Sequence, residues 1–369
     1  MTWKKKLAQG YVRPADVAEF LALTPQEELS LNEIVKEYPM RIPDYYLSLI
    51  DAKDPNDPIR RMSVPVVSEC EEGGECDTSG EEENTILPGM QHKYPQTVMI
   101  LSNNQCAMYC RHCFRKRMVG LNQKETVESI SDIANYVRAH TEINNVLISG
   151  GDALMNSNEV LRTYLELFAP IEHLDFIRFG TRIPVVLPQR ITEDAGLLPL
   201  LEEFNQRKQI FIVTQFNHPK ELTPEALQAV EALRKVGCIV RNQTVLLKGV
   251  NDNPDVLAEL MNRLTKVGVI PYYIFQCRPA RGVKNQFQVP LLQGSEIVEA
   301  AKRLMSGQAK GVRHVMAHVS GKIEIIGKTP DGSLLFKYHQ AKDPKHASRM
   351  FQRQLSEEDS WLEERVLIE

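Results

Sequence analysis

The chain has 369 residues, 43% of them hydrophobic and 25% charged, with a formal net charge of −4. This composition suits a globular protein large enough for a barrel-sized core, and it argues against a bulk nucleic-acid binder. The N-terminus, "MTWKKKLAQGYVRPADVAEF", has no apolar signal-peptide core, and charges or turn residues interrupt every long apolar run. A cytoplasmic protein with no membrane span is therefore expected, its cysteines serving as ligands or free thiols rather than disulfides.

Residues 1–95 read as a helical N-terminal region. Within it "LTPQEELSLNEIVKEY" has the spacing of an amphipathic helix, and residues 69–84, "ECEEGGECDTSGEEEN", read as an exposed acidic loop. From 96 to 310 the rhythm changes. Short β-rich runs fall at 97–102, 145–151, 176–182, 209–216, 239–247 and 271–277, with helix-like segments near 124–140, 157–169, 192–207, 223–236 and 254–267 between them. Six apolar strands alternating with helices predict an α/β fold with a parallel sheet. Chemically loaded residues follow several of these strands, which favours a partial (β/α) barrel over an open sheet. From 311 to 369 a small β-rich extension is expected. Its strands are "RHVMAHV", "KIEII" and "LLFKYH", with "TPDG" as a turn, followed by a charged tail that ends in a helix.

The chemistry concentrates in residues 106–117, "CAMYCRHCFRKR". Three of the seven cysteines, Cys106, Cys110 and Cys113, form C-x3-C-x2-C. At this cysteine content chance places that spacing roughly 0.003 times per chain. A structural zinc site wants four ligands in two knuckles, and Cys70, Cys76, Cys238 and Cys277 supply no second tight pair. Three thiolates suit an iron–sulfur cluster with one iron left open for chemistry. The motif follows the first barrel strand, and the second strand ends in Gly150, Gly151 and Asp152, where a backbone can approach a ligand closely.

On these residues the chain resembles the lysine 2,3-aminomutase family of radical S-adenosylmethionine (radical SAM) enzymes. The likeness extends over about residues 25–305, through "PGMQHKYPQTV", "NQCAMYCRHCFRKRMVG", "VLISGGDAL", "IRFGTRIPVVLPQRIT", "NQTVLLKGVNDN" and "PYYIFQC". The resemblance implies a radical SAM-type partial barrel and a [4Fe–4S] cluster on Cys106, Cys110 and Cys113. It implies that SAM binds the open iron and is cleaved to a 5′-deoxyadenosyl radical, which makes oxygen sensitivity an expectation. In this family pyridoxal phosphate (PLP) carries the migrating amino group as an imine. By the same resemblance Gly150, Gly151 and Asp152 match the segment that binds the methionyl end of SAM. Arg115 matches the arginine on the substrate carboxylate, a role its guanidinium fork suits. Asn242 and Gln243 match the cofactor pocket, and Lys93 and Tyr94 match the PLP phosphate region, with lysine in place of the usual arginine.

Three departures shape the expected substrate and cofactors. Lysine-specific members carry an aspartate where this chain has Arg278, and a cation does not hold the ammonium of lysine. An acidic or phosphorylated amino acid is expected instead, with Arg281 and Lys284 close in sequence. The family's Gly-rich loop ending in Lys-Thr-Pro has no counterpart when the final strands are aligned, so the PLP lysine is open among Lys322, Lys328 and Lys310. No cysteine follows Cys277, so the family zinc is not expected. His314, His318 and His339, in the closing strands, are candidates to line the cavity if the PLP loop is lost.

The leading reading is a 2,3-aminomutase-type isomerase acting on a small amino acid other than free lysine. It would be a homo-oligomer served by reduced flavodoxin or ferredoxin, with neither membrane nor nucleic acid as partner. The alternatives are a PLP-independent radical SAM dehydratase, oxidase or epimerase, a tRNA- or protein-modifying enzyme, and a plain electron-transfer protein. The last leaves "SGGDAL" without a purpose.

Overall fold

A computed structural model describes residues 2–121 and 125–363. One sheet of twelve strands runs through it in sequence order, β1 (Thr85–Leu87), β2 (Met90–Tyr94), β3 (Thr97–Leu101), β4 (Asn145–Ser149), β5 (Phe176–Gly180), β6 (Gln209–Thr214), β7 (Ile239–Leu246), β8 (Ile270–Gln276), β9 (Arg313–His318), β10 (Gly321–Lys328), β11 (Leu334–Ala341) and β12 (Met350–Arg353). Strands β3 to β9 are parallel, and antiparallel strands flank them on both sides. The order is linear, so this is a partial barrel.

Helices cross over between consecutive parallel strands, at Ile130–Ala139, Asn158–Phe168, Leu197–Asn205, Pro224–Lys235, Pro254–Lys266 and Leu291–Leu304. Their starts are written locally. Ser129, Ser157, Thr223 and Asn253 each accept a backbone N–H of the first turn, and Pro224 and Pro254 stand where a missing N–H costs nothing. Each strand turns alternate residues to opposite faces. One buried row, Val98–Val146–Ile177–Ile210, packs under the helices, and Ile100–Ile148–Phe179–Ile212–Val240 forms the next. The residues between these rows face inward and line a cavity.

Three expectations need correction here. The first 95 residues hold four short to medium helices (Trp3–Ala8, Pro25–Glu37, Asp44–Leu47, Pro58–Ser63), but β1 and β2 also come from them. A fourth strand, β12, extends the C-terminal meander, because Phe351 finds Phe336 to pack on at 5.3 Å. The acidic segment 69–84 is exposed only in part: residues 70–73, 75, 76, 82 and 83 face solvent, whereas Glu69 is 0% and Glu81 2% exposed. The expected terminal helix falls largely beyond the described residues. No helix among the described residues is long and apolar enough to cross a membrane.

Candidate active site

A cavity of about 360 Å³ occupies the inside of the partial barrel. The loop after β3 brings Cys106, Cys110 and Cys113 to its wall, and Gly150, Gly151 and Asp152 adjoin them from the end of β4. The two glycines have a defined reason. Gly150 has φ +116°, and a Cβ there would lie 2.3 Å from the Asn103 carbonyl oxygen; at Gly151 it would lie 2.3 Å from that of Gln105. The backbone they admit is that of the cysteine loop itself, which accepts the Gly151 N–H (2.6 Å) and the Asp152 N–H (2.8 Å). Asp152 is buried and ties strand ends together, accepting from Thr181 Oγ1 at 2.6 Å and Arg182 N at 2.7 Å. Burial raises its carboxyl above the usual range.

The three cysteines fit a cluster better than a single ion. All three thiols stand on one cavity wall, a donor set suited to an iron–sulfur cluster with one iron left open. Burial pushes the Cys113 thiol up to about 11, a cost that metal coordination removes by taking the thiolate. Cys110 Sγ already accepts a hydrogen bond from Arg182 Nη1 at 2.7 Å. His112, between two cysteines, is held neutral by burial and accepts from Asn217 Nδ2 at 3.2 Å.

The basic residues of the cysteine loop, Arg111 and the run Arg115–Arg117, are folded inward onto two carboxylates. Glu69 takes Arg111 (Nε, 2.9 Å) and Lys116 (Nζ, 2.5 Å); Glu81 takes Arg115 (Nε, 2.8 Å) and Arg117 (Nη2, 2.8 Å). Burial opposes ionisation of Glu81, but Arg115 and Arg117 prevail and hold its carboxyl down to about 2. Arg115 lines the cavity with one edge committed to Glu81 and its Nη1 uncommitted. The sequence reading missed Glu69 and Glu81. Four cations in seven residues needed partners, and that shortage was the available signal.

The far end of the cavity is cationic. Arg278 lines it with its guanidinium 4.1 Å from the Phe114 ring centroid. Its Nη1 is shielded from solvent without a hydrogen-bond partner, and it makes no ion pair among the described residues. Burial pushes it down to about 10. Ser79 Oγ and Gln91 Nε2, both on the wall, are also buried without partners. Lys93 donates to the carbonyls of His318 (2.6 Å) and Ser79 (3.3 Å), which fastens β2 across the open side of the barrel to the end of β9. Burial and Arg278 push the Lys93 amine down to about 7. Tyr94 is on the same wall. Arg178, from β5, was not anticipated; it binds Asn145 Oδ1 at 2.5 Å and leaves Nε unpartnered.

Of the lysines considered for PLP, Lys322 enters the cavity. Its amine lies 5.4 Å from the Tyr94 ring centroid and 5.5 Å from that of Tyr273, and donates to Gln340 at 2.9 Å. Burial, then Arg178 and Lys93, push it down to about 7. Lys328 is excluded: it is half-exposed at the end of β10, 3.3 Å from Glu296. Lys310 is exposed as well. Asn242 is also a correction. Gln243 lines the cavity, so its neighbour on the strand must face the other way. Asn242 accepts from Phe216 N (2.7 Å) and donates to Phe216 O (3.1 Å), bracing the end of β6. His314, His318 and His339 are not among the cavity-lining residues.

The radical SAM superfamily matches residues 100–261. A protein of Aquifex aeolicus (strain VF5) named "Putative L-lysine 2,3-aminomutase" is 40% identical over 349 residues, covering 94% of this chain and 93% of that protein. The L-lysine 2,3-aminomutase of Clostridium subterminale is 37% identical over 89% of this chain and 77% of its own length. The glutamate 2,3-aminomutase of Clostridioides difficile (strain 630) is 37% identical over 89% and 76%. With likeness on this scale, running well beyond the cysteine loop, the chain belongs to the lysine 2,3-aminomutase family of radical SAM enzymes.

Proposed function

We propose that the protein is a PLP-dependent 2,3-aminomutase for an amino acid with an acidic side chain. The observation that carries this reading is Arg278, a cavity-lining arginine whose Nη1 is shielded and without a hydrogen-bond partner and which, although Glu81 acts on it electrostatically, makes no ion pair among the described residues. A buried charge left unpaired is costly, and a substrate anion supplies the missing partner. Glutamate, the amino acid in the name of one relative, has the required chemistry.

In this reading Cys106, Cys110 and Cys113 hold the cluster, and Gly150 to Asp152 border the methionyl group of SAM. When bound, cluster and SAM supply a 5′-deoxyadenosyl radical, and PLP supplies a carrier for the migrating amino group. Lys322 is the lysine for PLP, because it is the candidate that lines the cavity, and an amine pushed down to about 7 has a substantial uncharged fraction at neutral pH, able to react with an aldehyde. Lys93 and the free Nε of Arg178 are N–H donors available to the phosphate. Arg115 receives the substrate α-carboxylate through its uncommitted end while Glu81 fixes its other edge. Arg278 receives the side-chain anion. Enclosure in the barrel keeps water from a radical. A low-potential one-electron donor, flavodoxin or ferredoxin, and a homo-oligomeric state belong to the same proposal.

The test is anaerobic reconstitution with iron, sulfide, SAM and PLP, followed by assay of glutamate and lysine for the β-amino isomer. An acidic amino acid should be isomerised and lysine left unchanged. Turnover of lysine in preference overturns the substrate reading. SAM cleavage without a borohydride-fixed pyridoxyl label on Lys322 overturns the PLP reading.

A further inference from the structure

Arg182 connects the cluster end of the cavity to the rest of the fold. It follows β5 by two residues and is 8% exposed. Its backbone N–H donates to Asp152. Its guanidinium is held on three sides, by the Gln215 carbonyl (Nε, 3.0 Å), by Glu221 (Nη2, 2.5 Å) and by Cys110 Sγ (Nη1, 2.7 Å). Glu221 is itself fully buried and fixed. It accepts from the Tyr46 hydroxyl (2.7 Å) and from the backbone N–H groups of Asn217 (2.6 Å) and His218 (3.0 Å). The guanidinium therefore has no room to swing away from the sulfur.

A fixed positive charge and an N–H donor thus meet the sulfur of one cysteine in a water-poor setting. Reducing an iron–sulfur cluster adds a negative charge. Hydrogen bonds to its sulfurs and nearby positive charge stabilise the reduced form and raise the potential. Low dielectric magnifies the effect. We infer that Arg182, braced by Glu221, sets the reduction potential of the cluster through Cys110. The two partners act with opposite sign. Loss of the Arg182 charge disfavours the reduced cluster, whereas loss of the Glu221 charge leaves Arg182 uncompensated and favours it. The pair keeps the cluster within reach of a biological one-electron donor.

The test is a potentiometric titration followed by electron paramagnetic resonance. It uses the reconstituted full-length protein, dithionite as reductant, and neither SAM, PLP nor substrate. At the wild-type midpoint R182Q should show a reduced-to-oxidised ratio at least tenfold lower, equivalent to 59 mV for a one-electron couple. E221Q should show a ratio at least threefold higher. A purely structural role would lower iron content without driving the two midpoints apart. Unmoved midpoints at full iron loading, or shifts of the same sign, overturn the inference. If R182Q does not load iron, E221Q decides: a rise supports the inference, and no change or a fall overturns it. The inference rests on the cysteines as ligands, which iron content of C110A tests separately, and it is independent of the substrate and PLP.

Discussion

The two ends of the cavity are built in different ways. The cluster end is local: three cysteines and four balancing cations fall within residues 106–117, and Gly150 to Asp152 press against the same loop. The amino-acid end is assembled from afar. Arg278 follows β8, Lys93 sits on β2 and Lys322 on β10, so distant strands must register correctly before these groups meet. Such an arrangement lets the radical initiator stay constant while single substitutions at the other end change the substrate.

Breaking the cluster end should have the largest effect. C110A should abolish both iron–sulfur loading and 5′-deoxyadenosine formation, read by iron analysis and liquid chromatography; retained cleavage would remove the cysteine from the ligand set. Next in size is K322A, expected to lose the borohydride-fixed pyridoxyl group and β-isomer formation while still cleaving SAM. That outcome separates the two ends cleanly, and a label persisting on another lysine would refute it. R278A should raise KM for an acidic amino acid about 10- to 100-fold, the size of one charge-assisted hydrogen bond. R278D should turn the preference toward basic amino acids, and an unchanged preference would detach Arg278 from specificity. E81Q leaves Arg115 without its buried anion and Arg117 with Glu125 alone, at 2.7 Å, so a stability loss of about 3–5 kcal/mol is expected in denaturant titration. The smallest effect concerns pH. Lys93 and Lys322 titrate near 7 when folded and near 10.5 when unfolded. Between those values the unfolded chain binds more protons, so PLP-free protein should gain stability as pH rises through that window. K322M should flatten the slope of Tm against pH, and an identical slope would place that amine in contact with solvent.

The alternation of β3 to β8 with helices was legible because parallel strands buried on both faces read as apolar runs. The cysteine loop was legible as a group because its three thiols are close in sequence, and the structure brings all three to the cavity wall. What escaped was set by orientation and pairing. Asn242 and Gln243 are neighbours in one motif, yet a strand's two-residue period allows only one of them into the cavity. Lys328 belongs to a Lys-Thr-Pro sequence, yet it lies at the exposed far end of β10, while Lys322 near its start is enclosed. Glu81 sits in a segment whose composition reads as solvated, and only the cations of another loop draw it inside. Arg182 could be read as no more than a residue after a strand until Cys110 was seen beside it.

The two glutamates that balance the basic run have a consequence for how the enzyme matures. Glu69 and Glu81 fasten the loop through Arg111, Arg115, Lys116 and Arg117, none of which is a cluster ligand. On these ion pairs the loop is expected to keep its shape without iron. A cluster delivered to this protein meets a receptor already folded, much as a socket meets a plug, and slow hydrogen exchange across residues 107–118 in the iron-free protein is the corresponding signature.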